Sequence, residues 1–141
     1  MKIYALAVGT VIAVLVVLHL KATKRENTRW AYPLLLATFP VYYCIFAVFG
    51  SDYSALLGEF LVGVVFLAIA FVAYKFRSLG TLLLLATGYI AHAAYDFYHN
   101  LLLSNAGTPV WWPEFCGSVD VLLGGYVAYL AFSLHKKPVV A

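Results

Sequence analysis

The feature that most constrains this chain is a series of five apolar segments, each about as long as a helix needs to cross a bilayer. A transmembrane helix requires about 20 predominantly apolar residues. With 65% hydrophobic and 11% charged residues, the chain is also far more apolar than a soluble domain. The sequence therefore predicts an all-α integral membrane protein, a single helical bundle over residues 1–141 with five transmembrane helices. The predicted spans are 3–20, 30–49, 54–74, 80–103 and 115–134.

Lys and Arg are distributed unevenly between the two sides of this predicted bundle. Eight of the nine lie in the connections at 21–29 and 75–80 or at the C-terminal end, and Lys2 alone lies on the other side. Cytoplasmic loops are enriched in Lys and Arg. We therefore expect a multi-pass protein of the cell (inner) membrane, with its N-terminus outside and its C-terminus in the cytoplasm. The basic residues form no continuous patch, which excludes nucleic-acid binding.

The fourth segment contains three ionisable residues, His92, Asp96 and His99, in the sequence GYIAHAAYDFYHN at 88–100. Their spacing of i, i+4 and i+7 places them on one face of a helix. Ionisable side chains are costly in hydrocarbon and usually mark a binding site, a proton relay or a pairing. This face is therefore the candidate site.

Two further acids, Glu59 in the third segment and Asp120 in the fifth, are expected at the same depth as Asp96. At 1.5 Å per residue, each of the three lies roughly 8–10 Å below the outer end of its segment. Small residues share the faces of Glu59 and Asp120, and such faces allow helices to approach closely. We therefore expect five ionisable side chains to converge in a site that faces the outer side, namely Glu59, His92, Asp96, His99 and Asp120.

This set of residues favours a metal site. Asp96 and His99, at i and i+3, have the spacing of the Glu-x-x-His pairs that bind iron in carboxylate-bridged helical bundles. With His92, Glu59 and Asp120 as further ligands, the set suits Zn²⁺, Fe²⁺ or Mn²⁺. Two metal ions would need a second copy of the chain or His92 as an extra ligand, so a homo-oligomer is left open. The preferred interpretation is a metal-binding membrane enzyme for a lipophilic small molecule.

Three other interpretations stay open. Carboxyl groups desolvated near one another cannot all ionise, so Glu59, Asp96 and Asp120 are also expected to serve as catalytic acids and bases in a metal-free isomerase, cyclase or hydrolase of an isoprenoid or lipid. A small transporter or a non-catalytic membrane subunit is another interpretation, although the inner half of the bundle contains no acid. In the third, the cluster only holds helices together, with His92 paired to Asp96 and His99 paired to Glu59 or Asp120.

The two cysteines, Cys44 and Cys116, lie within or at the edge of apolar segments and have no CxxC spacing. Buried cysteines most often act as small apolar side chains. We expect that role here, with a disulfide between them as the alternative.

Three motifs in the second half of the chain, taken together, resemble an uncharacterised family of small bacterial multi-pass membrane proteins. They are GEFLVG at 58–63, GYIAHAAYDFYHN at 88–100 and PVWWPEFCGSVD at 109–120. In that family the fourth-segment motif tends to end in paired histidines, and Asn100 stands at the second of these positions here. The resemblance implies that these residues belong to one site. It implies no reaction, because the family has no established activity.

Overall fold

The computed structural model describes residues 2–136 and contains five α-helices. These are α1 (Ile3–Ala22), α2 (Ala31–Phe49), α3 (Tyr53–Phe76), α4 (Leu79–Leu102) and α5 (Trp112–His135). Each helix begins and ends within three residues of a predicted segment. The all-α prediction is confirmed, and residues 2–136 contain no strand. Lys137, one of the basic residues assigned to the inner side, lies outside the described residues.

Four of the helices, α1, α2, α3 and α5, are long and apolar enough to cross a membrane. The remaining helix, α4, has 24 residues, but His92, Asp96 and His99 make it less apolar than the others. The outward-facing side chains of the bundle are largely apolar, whereas the ionisable residues of α4 are fully buried. Such an arrangement, with apolar groups outside and ionisable groups inside, is expected of a bundle that lies in lipid.

The helices do not pack in chain order. α1 packs against α5, α5 against α4, α4 against α3 and α3 against α2, whereas α1 has little contact with α2. Aromatic side chains connect α2 to α5. The rings of Tyr42 and Trp112 lie 5.1 Å apart, and those of Tyr32 and Tyr126 lie 6.1 Å apart. Consequently α4 and α5 are neighbours in the middle of the bundle, and a gap lies between α1 and α2.

Two glycines allow α5 to approach its neighbours closely. A Cβ atom at Gly9 of α1 would overlap the backbone carbonyl of Phe115. A Cβ atom at Gly124 of α5 would lie 3.1 Å from the carbonyl oxygen of Ala86 and within 3.0 Å of neighbouring side-chain carbons on α4. Small residues at such crossings let helix backbones approach each other in membranes. The close contact between α4 and α5 brings their polar faces together.

The turn between α3 and α4 has an unusual backbone. α3 ends at Phe76, and Arg77 then adopts a left-handed conformation with φ 45° and ψ 38°. Glycine is the residue that usually occupies this position at a helix C-terminus. α4 begins immediately afterwards with a capping box, in which Ser78 and Thr81 each bond to the backbone N–H of the other. The turn therefore fixes the position of Arg77 relative to α4.

Candidate metal centre

Four side chains from two facing helices form one buried group, which we call the His92 group. α4 contributes His92 and Asp96, and α5 contributes Cys116 and Asp120. Each pair is spaced i, i+4, so both members project from the same face of their helix. One ligand atom from each of the four residues lies within 4.8 Å of the others. This group can hold a metal ion.

The imidazole of His92 lies between the two carboxylates. Its Nδ1 is 2.8 Å from Asp120 Oδ2 and 3.3 Å from Asp96 Oδ2. The thiol of Cys116 contacts the same oxygen of Asp120, at 3.9 Å. His92, Asp96 and Asp120 are 0% exposed and Cys116 is 3% exposed. The ring of Phe66 packs edge-on at 4.7 Å from the His92 ring, so the surroundings of the group are apolar.

Hydrogen bonding within the His92 group is incomplete. Asp96 Oδ2, Asp120 Oδ1 and His92 Nε2 are buried and have no hydrogen-bond partner among the described residues. Buried polar atoms are nearly always partnered, and an unpaired one costs about 1–3 kcal/mol. The two unpaired carboxylate oxygens are acceptors, which either a proton donor or a cation would satisfy.

A second buried group lies further along α4, and we call it the Glu59 group. It consists of Glu59, Tyr95, His99 and Asn105. His99 Nε2 lies 2.8 Å from Glu59 Oε1, and the side-chain amide of Asn105 donates to the same oxygen at 2.9 Å. The hydroxyl of Tyr95 donates to Glu59 Oε2 at 2.6 Å. Both carboxylate oxygens of Glu59 are therefore partnered, unlike those of Asp96 and Asp120, although Nδ1 of His99 is not.

Tyr43 of α2 connects the two groups. Its hydroxyl donates to Asp96 Oδ1 at 2.7 Å, and its ring stacks on the His99 ring with centroids 4.3 Å apart. Its backbone carbonyl accepts a hydrogen bond from Asn105 at 3.0 Å. The buried polar residues of four helices, α2 to α5, and of the connection before α5 thus form one network with two chemically different halves.

The single five-residue site that the sequence predicts is divided in the structure. His92, Asp96 and Asp120 lie together, whereas Glu59 and His99 form a hydrogen-bonded pair outside that group. The reason is distance along α4. His92 and His99 share a face, but seven residues at 1.5 Å per residue separate them by about 10 Å. That separation is too large for the two rings to bind one ion.

The five predicted site residues leave out four members of the network, namely Tyr43, Tyr95, Asn105 and Cys116. Both Cys44 and Cys116 are free, so the alternative of a disulfide between them is not realised in the structure. A pattern that points to Cys116 was present, because Cys116 and Asp120 have the same i, i+4 spacing as His92 and Asp96. Asn105 lies in an irregular connection, where no periodicity indicates which way a side chain faces.

An apolar cavity of about 170 Å³ borders the His92 group at Cys116, and we call it the Cys116 cavity. It lies between α1, α2 and α5, and Val16 and Leu35 form part of its wall. Phe39, another wall residue, has its ring 5.9 Å from that of His92. A neighbouring apolar cavity of about 380 Å³ shares Val16 and Leu35 and extends along the gap between α1 and α2. The buried group therefore adjoins an apolar space on the side of this gap.

The His92 group offers an imidazole nitrogen, a thiol sulfur and carboxylate oxygens, a combination that suits Zn²⁺ or Fe²⁺. In comparisons with known proteins, no family model, no curated protein and no solved structure matches this chain.

Proposed function

We propose that this chain is a membrane-embedded metal-binding protein whose metal centre is the His92 group. The observation that supports this most directly is a pair of buried carboxylate oxygens that accept no hydrogen bond, Asp120 Oδ1 and Asp96 Oδ2, beside an imidazole and a thiol. Asp96 Oδ2 has only the 3.3 Å contact with His92 Nδ1. The Glu59 group provides an internal comparison. Glu59 is equally buried, yet both of its oxygens are partnered. Burial in this bundle therefore does not by itself deprive a carboxylate of hydrogen-bond donors.

Charge balance leads to the same proposal. Asp96 and Asp120, if both are ionised, give the group two negative charges, and a protonated His92 would offset only one of them. Burying an uncompensated charge in an apolar environment is costly. A divalent cation with a neutral His92 would balance the two carboxylates, and a Cys116 thiolate bound to the same ion would leave a net charge of −1. Zn²⁺ and Fe²⁺ fit better than Mn²⁺, because the soft sulfur of Cys116 is a poorer ligand for Mn²⁺.

We further propose that the centre acts on a lipophilic small molecule that enters from the bilayer. The four ligands are buried, and the Cys116 cavity that adjoins them has apolar walls. Most of the lining is hydrocarbon, and its hydrogen-bonding groups are those of Tyr42, Trp112 and Cys116, so the route suits a hydrocarbon chain better than a strongly polar solute. A metal ion held there would polarise an oxygen of the substrate or activate a water molecule. Asp96 and Asp120 would be ligands of that ion, and Glu59 would hold His99, Tyr95 and Asn105.

The membrane arrangement is part of the proposal. We propose that all five helices span the inner membrane, with the N-terminus outside and the C-terminus in the cytoplasm. The less apolar helix α4 is included because its ionisable residues face the neighbouring helices and not the lipid. If α3 and α5 both cross the membrane, α4 crosses with them, because it packs against both helices.

A metal-free acid/base enzyme is the second candidate. It is favoured by one observation, the position of His92 Nδ1 within 2.8 Å and 3.3 Å of two carboxylate oxygens. One proton shared among these three groups would also reduce the repulsion between Asp96 and Asp120. In that case a protonated carboxyl would act as the acid, and its neighbour as the base.

Elemental analysis of the detergent-purified protein distinguishes the two candidates. We expect about one equivalent of metal after reconstitution with zinc, iron or manganese, and loss of that metal in His92→Ala and Asp120→Asn. His99→Gln is the matched control, because His99 is an equally buried histidine of α4 that lies outside the group. It should retain the metal. A wild-type protein that binds none of the three metals contradicts the proposal and favours the acid/base enzyme.

A further inference from the structure

A small cavity lies among the first turns of α2 and α4 and the last turns of α5. Its lining includes Arg29, Tyr32 and Arg77, the acid Glu26, and leucines and a valine of α4 and α5. The enclosed part has a volume of about 20 Å³, which is room for about one water molecule. Arg29, at its rim, is exposed, and Arg77 is half-buried.

The two arginines of this cavity have no counter-ion. Neither Arg29 nor Arg77 forms an ion pair with any residue in the range 2–136. Both arginines line the same cavity, and partial burial together with the positive charge of Arg29 lowers the pKa of Arg77. The carboxylate in the lining is that of Glu26, and it accepts a hydrogen bond of 2.6 Å from Tyr126. Two adjacent cations therefore face the cavity without a carboxylate bound to either.

A buried hydroxyl in the same lining lacks a partner. Tyr32 is 4% exposed, and its Oη has no hydrogen-bond partner among the described residues. The rest of the residue is firmly held, because its carbonyl accepts from Tyr89 at 2.7 Å and its ring packs against Tyr126. A phenol hydroxyl can donate one hydrogen bond. An anionic oxygen entering the cavity would accept it.

Arg77 is also an unusual residue for its backbone conformation. Its φ of 45° lies in the left-handed region, where glycine is favoured over residues with a side chain. The chain nevertheless has an arginine at this position, and the turn directs it towards the cavity that Arg29 also lines. A side chain that occupies an unfavourable backbone position is a reason to look for a function.

We propose that Arg29, Arg77 and Tyr32 form a binding pocket for a phosphate group. Arginine is well suited to phosphate because its planar guanidinium can donate two parallel hydrogen bonds to the oxygens. One phosphate oxygen would fill the small enclosed space and accept from Tyr32, while the others would contact the arginines at the rim. This site is separate from the His92 group and does not depend on the proposed metal. With the proposed topology it lies in the cytoplasmic leaflet, where anionic lipids are concentrated.

The phosphate group has two sources, the headgroup of an anionic phospholipid and free inorganic phosphate. Both are tested by calorimetric titration of the full chain in nonionic detergent, with dihexanoyl phosphatidic acid, inorganic phosphate or uncharged dihexanoylglycerol. We expect phosphatidic acid to bind and dihexanoylglycerol not to bind. Displacement of the lipid by inorganic phosphate would show that the phosphate group suffices, and binding of the lipid alone would identify a headgroup site. Binding of neither phosphate compound overturns the proposal.

Variants locate the binding in this pocket. Arg29→Gln and Arg77→Gln should weaken phosphate binding by at least about tenfold, since hydrogen bonds to a charged group are each equivalent to roughly that factor. Tyr32→Phe should weaken it by a smaller factor. Arg25→Gln is the matched control, because Arg25 is an exposed arginine of the same connection outside the cavity. If Arg25→Gln weakens binding as much as Arg77→Gln, the effect is general charge attraction and the proposal is wrong.

Arg77→Gly separates binding from folding. Glycine is better suited than arginine to the φ of 45° at this position, so the variant should melt at or above the wild-type temperature. It should nevertheless lose phosphate binding to the same extent as Arg77→Gln. Wild-type affinity in Arg77→Gly would contradict the proposal.

Discussion

Tyr43 and Asp96 are joined by a hydrogen bond of 2.7 Å that runs from α2 to α4 through the interior of the bundle. The hydroxyl of Tyr43 donates to Oδ1 of Asp96, and the ring of the same tyrosine stacks on His99. One side chain thus contacts both the His92 group and the Glu59 group. Its two contacts have different chemistry, so they can be removed separately.

Tyr43→Phe removes the hydroxyl and keeps the stacked ring. Asp96 Oδ1 would then have no donor, and leaving a buried acceptor unpaired costs about 1–3 kcal/mol. We expect a loss of unfolding free energy of that size in detergent-based denaturation. Tyr42→Phe is the control, because the neighbouring Tyr42 is 42% exposed and its hydroxyl makes no hydrogen bond with a described residue. Equal losses in the two variants would show that the bond to Asp96 contributes nothing specific.

Glu59→Gln tests whether Glu59 is a structural acceptor or a metal ligand. The substituted amide presents a donor where Tyr95, His99 and Asn105 now meet carboxylate oxygens. We expect the unfolding free energy to fall by about 1–3 kcal/mol and the metal content to stay at the wild-type level. Unchanged stability with loss of metal would instead make Glu59 a ligand, as the sequence predicted.

Cys116→Ser tests the thiol as a metal ligand. In the cobalt-substituted wild-type protein we expect a sulfur-to-cobalt charge-transfer absorption, because Cys116 lies within ligand distance of the other three residues. The variant should lack this absorption and bind zinc less tightly, since oxygen replaces a softer sulfur ligand. Cys44→Ser is the control, because Cys44 is not part of the group. Persistence of the absorption in Cys116→Ser would exclude the thiol from the centre.

Gly124→Val tests the close approach of α4 and α5. A Cβ atom at Gly124 would lie 3.1 Å from the carbonyl oxygen of Ala86, whereas one at the adjacent Gly125 would have nothing within 4 Å. We expect Gly124→Val to lower the unfolding free energy by about 1–3 kcal/mol, as overpacking does. Gly125→Val should change it much less. If the two variants unfold alike, close packing at Gly124 does not hold the helices together.

Val16→Phe tests whether hydrocarbon chains enter the Cys116 cavity. In a Trp30→Phe and Trp111→Phe background, Trp112 is the remaining tryptophan, and it lines this cavity. Lipids brominated on their chains should quench its fluorescence, and Val16→Phe should reduce the quenching because the larger ring fills part of the cavity. Val11→Phe is the control on the outward face of α1, where Val11 is 56% exposed. Quenching that is insensitive to Val16→Phe would mean that lipid reaches Trp112 by another route.

The helices could be predicted from the sequence because each is a long apolar segment that ends at polar or turn-forming residues. The central acids could be predicted for a related reason, because ionisable residues are few in such segments and must face the interior of the bundle. Counting residues from the helix ends placed Asp96 and Asp120 at a similar depth, and their side chains belong to one group in the structure.

The division into two groups could not be predicted in the same way. Periodicity shows that His92 and His99 share a face of α4, but the partner of each depends on which helix packs beside it. The packing of α1 on α5, and not on α2, is a tertiary property that no local pattern indicates. The roles of Tyr43 and Asn105 depend on another tertiary property, the packing of α2 and α4 against α3, because each residue contacts the network from a different part of the chain.

The packing order of the helices has a consequence for biosynthesis. α1 leaves the ribosome first, yet the helix against which it packs, α5, is the last of the five to be made. In the proposed membrane arrangement, the face of α1 that includes Gly9 would therefore be covered by lipid or by the insertion machinery while α2, α3 and α4 are inserted. The bundle would close only when α5 is added and covers that face of α1. The same arrival brings Cys116 and Asp120 to His92 and Asp96, so an incompletely translated chain has no complete centre.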